Sequence, residues 1–430
     1  MPANTRLLLG IFLLLPAITA IPQSDFDALP NLGDTAGQAL SPQQDKALGA
    51  AFMRQIRQSG LVLEDEEVTG YIEALGHKLS VHSENPGHSF TFFLVKDPAI
   101  NAFAGPGGYI GVNTGLFMAA ESESELAGVM AHEIAHITQR HLARAYDAAN
   151  KLSLPTTAAV LAAILIGATT DSSAGAAALT AASAASVQYQ INFTRANEQE
   201  ADTVGIQTLA DAGFDPYGMP QFFERLQKNS RLYGTRPPEF LSTHPVTTNR
   251  IAEAVARADN FPKVAPYSNL DFLLLRAKLR VENYDDPRQV LSDVQRYQGK
   301  SGGDTPVDQY EFALLLDASG RHPDALQTMN KLYTSDPDRI TYRLALAKIL
   351  RDAEQPQAAL DVYASTLDLY PGNLTVTLPY AKTLLAVGKA DTASALLNDY
   401  SNDYPQDPEP HQGTGAVAGG RKIRIITITD

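Results

Sequence analysis

Two histidines and a glutamate, His132, Glu133 and His136, follow the spacing His-Glu-x-x-His. Four residues advance a helix by about 400°, so both imidazoles project from one face, one turn apart. At that separation both rings can reach one zinc ion at about 2.0–2.1 Å. Glu133 lies beside them and can take a proton from a water that attacks a peptide carbonyl. The alternative is an ordinary helix with two surface histidines, and the rarity of the motif favours a metal-dependent peptide hydrolase.

The motif supplies two metal ligands, so a third ligand must come from elsewhere in the chain. The longer metzincin pattern is excluded, because Gln139 and Leu142 stand where it needs glycine and histidine. His141 is placed on the opposite face of the same helix and is not expected to bind the ion. Glu198 and Asp202 share a face of a later helix, so one carboxylate can bind zinc while the other accepts an N–H from a ligand histidine. The alternative for Glu198 is a solvated helix charge.

Composition limits the other kinds of site. The chain has 430 residues, no cysteine, a formal net charge of −14 and a hydrophobic content of 44%. This length and composition predict a globular protein of two or three domains. Without cysteine, disulfides and thiolate metal sites are excluded, so any metal must be bound by His, Asp or Glu. An acidic chain with no basic cluster predicts no nucleic-acid partner.

The N-terminus has the features of an export signal. Arg6 precedes an apolar run at residues 7–15, which is too short to span a bilayer. Small residues follow Pro16, and cleavage after Ala20 would remove residues 1–20 as a signal peptide. The alternative is a retained membrane anchor. An exported protein would work outside the cytoplasm.

Helix caps and apolar periodicity predict the helices and strands around the motif. Ser122 and Glu125 form a Ser-x-x-Glu capping box before an apolar run, which predicts that the motif lies well inside a helix. A second helix begins near Arg195 and carries Glu198. The preceding elements are helices that begin near residues 41 and 66 and strands at residues 90–95 and 109–113. Residues 21–262 are therefore expected to form an α+β, mostly helical domain with a small sheet.

The C-terminal third repeats with a fixed period. Pro337, Pro371 and Pro405 are separated by 34 residues each, and small or polar residues at the inter-helix turns keep the same step. Thirty-four residues is the tetratricopeptide period, which predicts a helical solenoid over residues 263–410 whose first repeat is degenerate. The alternative is a helical bundle without repeats. Residues 411–430 have no assigned role.

The motifs together resemble the M48 gluzincin peptidases, and among them the exported members that carry tetratricopeptide repeats. The matching segments are residues 101–104, 107–109, 132–141, 198–205 and 243–250. The resemblance implies a gluzincin-type metallopeptidase domain followed by the repeat solenoid. It also implies that His132, His136 and Glu198 bind one Zn²⁺ per chain, with Glu133 as the base.

Three further assignments rest on this resemblance. His244 is implied to lie near the metal, where it either coordinates zinc in a resting state or donates to the oxyanion, unless it only caps a turn. Arg250 either steadies the oxyanion or forms a structural salt bridge. Extended substrate is implied to bind by β-addition along an edge strand made of Tyr109, Ile110, Gly111, Val112 and Asn113.

The uncharged stretch at residues 152–194 lies between the predicted zinc ligands. Some members of the family cross the membrane twice at this point. Residues 152–170 nearly reach the ~20 residues that a span needs, but Pro155, Gly167 and several threonines dilute them. We therefore expect a lid of helices over the cleft that contacts a membrane surface peripherally.

The resemblance supplies the substrate class. It implies a periplasmic zinc endopeptidase that degrades unfolded or stalled outer-membrane β-barrel proteins and docks on the outer-membrane assembly machinery through its repeats. The competing hypothesis is a chaperone or scaffold for outer-membrane assembly in which the protease site is latent.

Overall fold

A computed structural model describes residues 40–148, 195–233, 238–264, 269–297 and 305–403 of the chain. The predicted signal peptide, the uncharged stretch at residues 152–194 and the tail at residues 411–430 lie outside the described residues. Helices dominate, with one small sheet, as the sequence predicts. None of the described helices combines the length and the apolar character needed to cross a membrane.

The domain begins with two capped helices, α1 (Pro42–Gln58) and α2 (Glu66–Ser80). Ser41 accepts the backbone N–H of Gln44, whose side chain accepts the N–H of Ser41 in return. Asp65 accepts two backbone N–H groups at the start of α2. These caps satisfy N–H groups that have no partner inside the helix, and so fix where both helices start.

Three strands form the sheet: β1 (Thr91–Val95), β2 (Ala102–Ala104) and β3 (Tyr109–Asn113). Their order is β1-β3-β2, with β1 parallel and β2 antiparallel to β3. The expectation that Tyr109–Asn113 is an edge strand is therefore wrong, because β3 is bonded on both sides. The outer side of β1 is itself covered, since the N–H of Leu63 donates to the carbonyl of Leu94. Among the described residues, β2 is the edge strand with no second strand partner.

A short helix, α3 (Thr114–Ala119), leads into the motif helix α4 (Glu123–Thr138). The hydroxyl of Ser122 caps α4 as predicted, but the carboxylate of Glu125 bonds the N–H of Glu121 and the side chain of Arg225 instead of closing the capping box. The helix also ends earlier than expected. Arg140 has a φ of 55°, and this left-handed residue turns the chain into a new helix, α5 (His141–Ala148).

Four more helices belong to the described residues of the peptidase part: α6 (Arg195–Asp211), α7 (Gly218–Tyr233), α8 (Glu239–Thr243) and α9 (Thr248–Ala258). Helix α6 packs closely on α4 at Gly205. A Cβ atom on Gly205 would lie 3.1 Å from the backbone N and Cα of His132. The absence of a side chain at this position therefore brings the two ligand-bearing helices together.

The repeat region begins with a hairpin of α10 (Leu270–Glu282) and α11 (Pro287–Tyr297). Three hairpins follow, made of α12 (Pro306–Ala318) with α13 (His322–Ser335), α14 (Ile340–Asp352) with α15 (Pro356–Leu369), and α16 (Leu374–Ala386) with α17 (Ala390–Asp403). Gly320, Glu354 and Gly388 occupy equivalent turns at positive φ, 34 residues apart. The repeat period predicted from the sequence is confirmed.

Helix α10 contributes side chains to a hydrophobic core of the peptidase part and to a hydrophobic core of the repeats. Its residues Phe272 and Leu279 pack into the peptidase core, whereas Leu274 and Ala277 pack into the repeat core. At the far end of the solenoid, the hydroxyl of Thr375 on α16 lies 3.3 Å from the carbonyl oxygen of Glu66 on α2. The solenoid therefore curves around and touches the peptidase part at two places.

Candidate metal centre

Seven side chains that the sequence singles out converge where α4, α6 and the α8–α9 connection meet, and each is less than 5% exposed. They are His132, Glu133 and His136 on α4, Glu198 and Asp202 on α6, His244 after α8, and Arg250 on α9. Because so many polar side chains share one dry site, each must be compensated by a partner in the site.

Four of these side chains present donor atoms to a common point. Donor atoms of His132, His136, Glu198 and His244 all lie within 4.8 Å of one another. The Nε2 atoms of His132 and His136 are 3.0 Å apart, and carboxylate oxygens of Glu198 lie 3.5 Å and 3.6 Å from them. Two ligands at 2.0–2.1 Å from one tetrahedral zinc ion would be about 3.3 Å apart. The donor set therefore fits zinc in both chemistry and spacing.

His244 turns its two ring nitrogens to different neighbours. Its Nδ1 lies 3.2 Å from Oε1 of Glu198 and 3.4 Å from Nε2 of His132, so it belongs to the donor group. Its Nε2 lies 3.5 Å from Oε1 of Glu133. The ring stacks on Phe240 at a centroid distance of 4.8 Å, which holds it in this orientation. The structure thus places His244 where a fourth ligand would be.

Asp202 and Arg250 support the cluster from behind. Oδ1 of Asp202 lies 3.0 Å from Nδ1 of His132, which is a hydrogen-bond distance although the ring N–H is not aimed squarely at the oxygen. Arg250 donates to both oxygens of Asp202 at 2.8 Å, and its Nη1 lies 2.8 Å from Oε2 of Glu198. The guanidinium therefore forms salt bridges to two buried carboxylates, in agreement with the structural alternative for this residue.

Glu133 lies at the front of the donor group and is fully buried. Neither of its carboxylate oxygens has a hydrogen-bond partner of full geometry among the described residues. Burial raises the pKa of Glu133, and the neighbouring His244 and His132, together with the N–H of Ala104, offset only part of that rise. A buried carboxylate with unfilled acceptor positions is placed to accept a proton from a molecule that enters the site.

The ligand side chains polarise one another. Burial would lower the pKa of His132, but Asp202 and Glu198 outweigh it and raise this pKa to about 9. Burial and the adjacent His132 hold the pKa of His136 well below its usual value. Burial would raise the pKa of Glu198, but His244 and His132 keep it well below the ordinary range, so the carboxylate is ionised. His136 and Glu198 are thus in the forms that bind a metal ion, a neutral imidazole and an anionic carboxylate, whereas His132 must release a proton when a metal ion binds.

The free edge of β2 borders this site. Asn113 donates to the carbonyl of Asn101, and Gly105 donates to the carbonyl of Tyr109. Since bonded pairs alternate along an antiparallel ladder, the backbone groups of Ala102 and Ala104 point away from β3. The N–H of Ala104 points away from β3 and toward the carboxylate of Glu133. The strand whose outer backbone groups border the site is therefore β2, not the expected strand at Tyr109–Asn113.

Sequence reasoning missed two contributors to the site. His141 is buried and its Nδ1 lies 2.7 Å from Nδ1 of His136, and Glu200 contacts the other ring nitrogen of His141. The expected position of His141 on the opposite helix face assumed that α4 continues, whereas the chain turns at Arg140. No glycine or proline marks that turn in the sequence.

A histidine pair and a carboxylate on two packed helices, with a glutamate base and a free strand edge beside them, define a zinc metalloendopeptidase. Residues 66–258 match the model of peptidase family M48, and residues 350–415 match a tetratricopeptide repeat model. The chain belongs to family M48, whose metallopeptidases are zinc enzymes.

Similar proteins extend this result over most of the chain. The β-barrel assembly-enhancing protease of Escherichia coli strain K12 is 36% identical over 382 residues, which cover 89% of this chain and 78% of that protein. A Vibrio cholerae protein given the same protease name is 39% identical over 406 residues, covering 94% and 83%. The mitochondrial metalloendopeptidase OMA1 of Arabidopsis thaliana is 32% identical over 173 residues, 40% of this chain and 32% of that protein.

Proposed function

We propose that this protein is a periplasmic zinc endopeptidase that degrades misfolded or stalled outer-membrane β-barrel proteins and also assists their assembly. The observation that carries the peptidase part is the buried donor group, with the orphaned carboxylate of Glu133 beside a free strand edge. The names of the bacterial relatives support the link to β-barrel assembly. The predicted signal peptide at residues 1–20 supports export.

His132, His136 and Glu198 are proposed to hold one Zn²⁺ per chain. The ion supplies a Lewis acid for the peptide carbonyl and makes water more acidic in the site. Glu133 accepts the proton of the attacking water and then donates it to the leaving amine. Asp202 holds His132 in the tautomer whose Nε2 is free to bind, and Arg250 keeps Asp202 ionised.

Substrate is proposed to lie along β2 as an added antiparallel or parallel strand. The outward backbone groups of Ala102 and the carbonyl of Ala104 can pair with a peptide backbone of any sequence. This mode of binding requires an extended chain with unpaired backbone groups. An unassembled β-barrel protein offers such strands, whereas a folded barrel has none free.

The repeats are proposed as the element that docks on the outer-membrane assembly machinery. Stacked helical hairpins create a continuous surface that suits a protein partner. Residues 152–194 are proposed to lie over the cleft and to contact a membrane surface peripherally. The proposed domain limits are residues 21–262 for the peptidase and 263–410 for the repeats.

Replacing Glu133 with glutamine tests the proposed chemistry. Glu133→Gln should retain zinc and the fold but lose about 10²–10⁴-fold in cleavage of an unfolded β-barrel protein, because an amide cannot accept the proton. Glu253→Gln, at an exposed position on α9, is the control and should cleave at the wild-type rate. Cleavage by Glu133→Gln at the rate of the control would exclude Glu133 as the base.

A second function, a chaperone whose protease site is latent, is favoured by the position of His244 in the donor group. Helix α8, which leads to His244, also lies beside the edge strand, since the N–H of Phe240 donates to the carbonyl of Ile100. Cells that carry Glu133→Gln separate the two functions. Accumulation of stalled barrel proteins would support the protease, and normal assembly with no accumulation would support the chaperone.

A further inference from the structure

The turn after α4 brings a third histidine against the metal site. Arg140, at a φ of 55°, ends α4 and starts a new helix at His141, whose ring contacts His136 on α4. The Nδ1 atoms of the two rings are 2.7 Å apart, and the ring of His141 is fully buried. This contact is on the side of His136 that faces away from the donor group.

The proton positions in this contact follow from the role of His136. Its Nε2 lies 3.0 Å from Nε2 of His132, inside the donor group, so this nitrogen must keep its lone pair to bind a metal ion. A neutral imidazole then carries its proton on Nδ1, which lies 2.7 Å from the Nδ1 of His141 and can donate to it. His141 must accept there, and its own proton is therefore on Nε2.

The other side of His141 has the partner that this tautomer needs. Nε2 of His141 lies 3.0 Å from Oε2 of Glu200 and donates to it. Arg144 donates to the same carboxylate oxygen at 2.8 Å and to the carbonyl of Gln139 at 2.8 Å.

We propose that His141 is a positioning residue for the metal ligand His136, and that it links His136 to the carboxylate of Glu200. The link fixes which nitrogen of His136 carries the proton and how its ring is turned, and it makes Nε2 a stronger donor to zinc. His132 has a carboxylate of its own in Asp202, whereas His136 is connected to one through a second imidazole. The inference rests on the proposed ligand role of His136.

Two substitutions at the same position separate the hydrogen bond from simple packing. The side-chain oxygen of asparagine can take the place of Nδ1 of histidine as acceptor, whereas leucine fills the space with no acceptor. His141→Leu should weaken zinc binding about 10–100-fold, and His141→Asn should retain most of the wild-type affinity. Zinc affinity is measured by competition with a chromophoric chelator on the full chain.

The cobalt form and the metal-free form give readouts independent of activity. The visible spectrum of bound Co²⁺ should change in His141→Leu and match the wild type in His141→Asn. Thermal unfolding of the metal-free proteins should be similar for both variants, which separates ligand positioning from damage to the fold. Equal zinc affinities for the two variants, or wild-type affinity in His141→Leu, would overturn the proposal.

Glu200 provides the test of the link itself. Glu200→Gln should weaken zinc binding in the wild-type background and have no further effect in His141→Leu, because the path to His136 is already broken. Glu253→Gln is the control on a neighbouring exposed carboxylate. It should leave the zinc affinity unchanged both in the wild-type background and in His141→Leu. Independent, additive losses from Glu200→Gln and His141→Leu would overturn the link.

His136→Ala distinguishes failure of this proposal from failure of the ligand assignment. A normal zinc affinity in His136→Ala would overturn the ligand set and the link with it. A lost zinc site in His136→Ala together with normal binding in His141→Leu would overturn only the positioning role.

Discussion

At the scale of single residues, the two histidine ligands on α4 differ in how they are held. His132 faces Asp202, whose charge is balanced by Arg250. His136 faces the neutral ring of His141, whose other ring nitrogen is hydrogen-bonded to Glu200. Since Glu200 is more exposed to solvent than Asp202, its charge is screened more strongly. The two ligands therefore feel different electrostatic support although they lie one turn apart on the same helix.

The sequence was sufficient to place most of the metal site. The spacing of His132, Glu133 and His136 fixes their common helix face, and the spacing of Glu198 and Asp202 does the same on α6. His141 could not be placed, because its position depends on a single left-handed residue, Arg140, of a type that rarely adopts that conformation. Helical periodicity describes a continuous helix and gives no sign of such a break.

Removing the ring of His244 distinguishes its two possible roles by the sign of the effect. If His244 is a fourth ligand at rest, His244→Ala should raise basal proteolysis, since the donor position beside Glu133 becomes open to water and substrate. If it donates to the oxyanion, the same change should lower kcat about 10²–10³-fold. The contact of Nδ1 with Glu198 favours the first outcome.

The measurement is cleavage of an unfolded β-barrel protein, with zinc content determined in parallel. His82→Ala is the matched control, because His82 is exposed and lies on no ligand helix. Wild-type activity and zinc content in His244→Ala would exclude both roles and leave His244 as a turn residue before Pro245.

At the scale of elements, the strand order was the main error. β-rich composition identified β1 and β3, but nothing in a strand's own sequence says how many neighbours it has. The strand β2 has only three residues and lies between Pro98 and the glycine-rich residues 105–108, so the sequence pattern predicts no separate strand there. Its pairing with β3 turns the expected edge strand into the central one and moves the proposed substrate edge to Ala102–Ala104.

The close packing of α6 on α4 leads to a prediction for Gly205. In Gly205→Ala the new methyl group would lie 2.9 Å from Cε of Met219 and 3.1 Å from the backbone of His132. The helices must separate, which should cost about 1–3 kcal/mol in stability and lower zinc affinity, because Glu198 is displaced from the histidines.

Gly70→Ala is the control for this prediction. Gly70 also lies within a helix, and its added methyl group would lie 3.3 Å from the hydroxyl of Thr375 on α16 and not against a ligand helix. Unfolding in urea and chelator competition are measured for both variants. Equal zinc affinities in Gly205→Ala and the wild type would mean that the ligand geometry does not depend on this contact.

At the scale of the whole molecule, the solenoid is attached to the peptidase part by a partly buried charge cluster. Nζ of Lys278 on α10 lies 2.7 Å from Asp65 and 3.0 Å from Glu67, both at the start of α2. The sequence predicted the repeats through their period but gave no sign of this contact, because no local pattern relates Asp65 to a lysine 213 positions later. Helix α10 also contributes Phe272 to the peptidase core, so a chain cut after residue 262 would expose apolar surface.

Replacing Lys278 should therefore destabilise the full chain more than an exposed ion pair would. Lys278→Ala leaves Asp65 and Glu67 without their counter-ion in a site where the lysine is 15% exposed. The expected loss is about 3 kcal/mol, the lower end of the range for breaking a buried pair. Lys382→Ala is the control, because Lys382 pairs with Glu66 at 2.9 Å but is 40% exposed, and it should cost less than about 1 kcal/mol.

The pH dependence gives the same prediction a second test. Burial would raise the pKa of Asp65, but Lys278 outweighs it and the net pKa is lowered. The pair therefore stabilises the fold above the ordinary pKa of aspartate, and this contribution is lost as the pH falls through the lowered value. The pKa of Lys278 is raised well above its usual value, since Glu67 and Asp65 outweigh the opposing effect of burial. Its contribution is therefore lost only as the pH rises through that value.

In urea unfolding, the difference in stability between Lys278→Ala and the wild type should stay constant around pH 7 and shrink in acid below the ordinary aspartate range. A difference that is no larger than that of Lys382→Ala, or that does not change in acid, would mean that other contacts hold the solenoid in place.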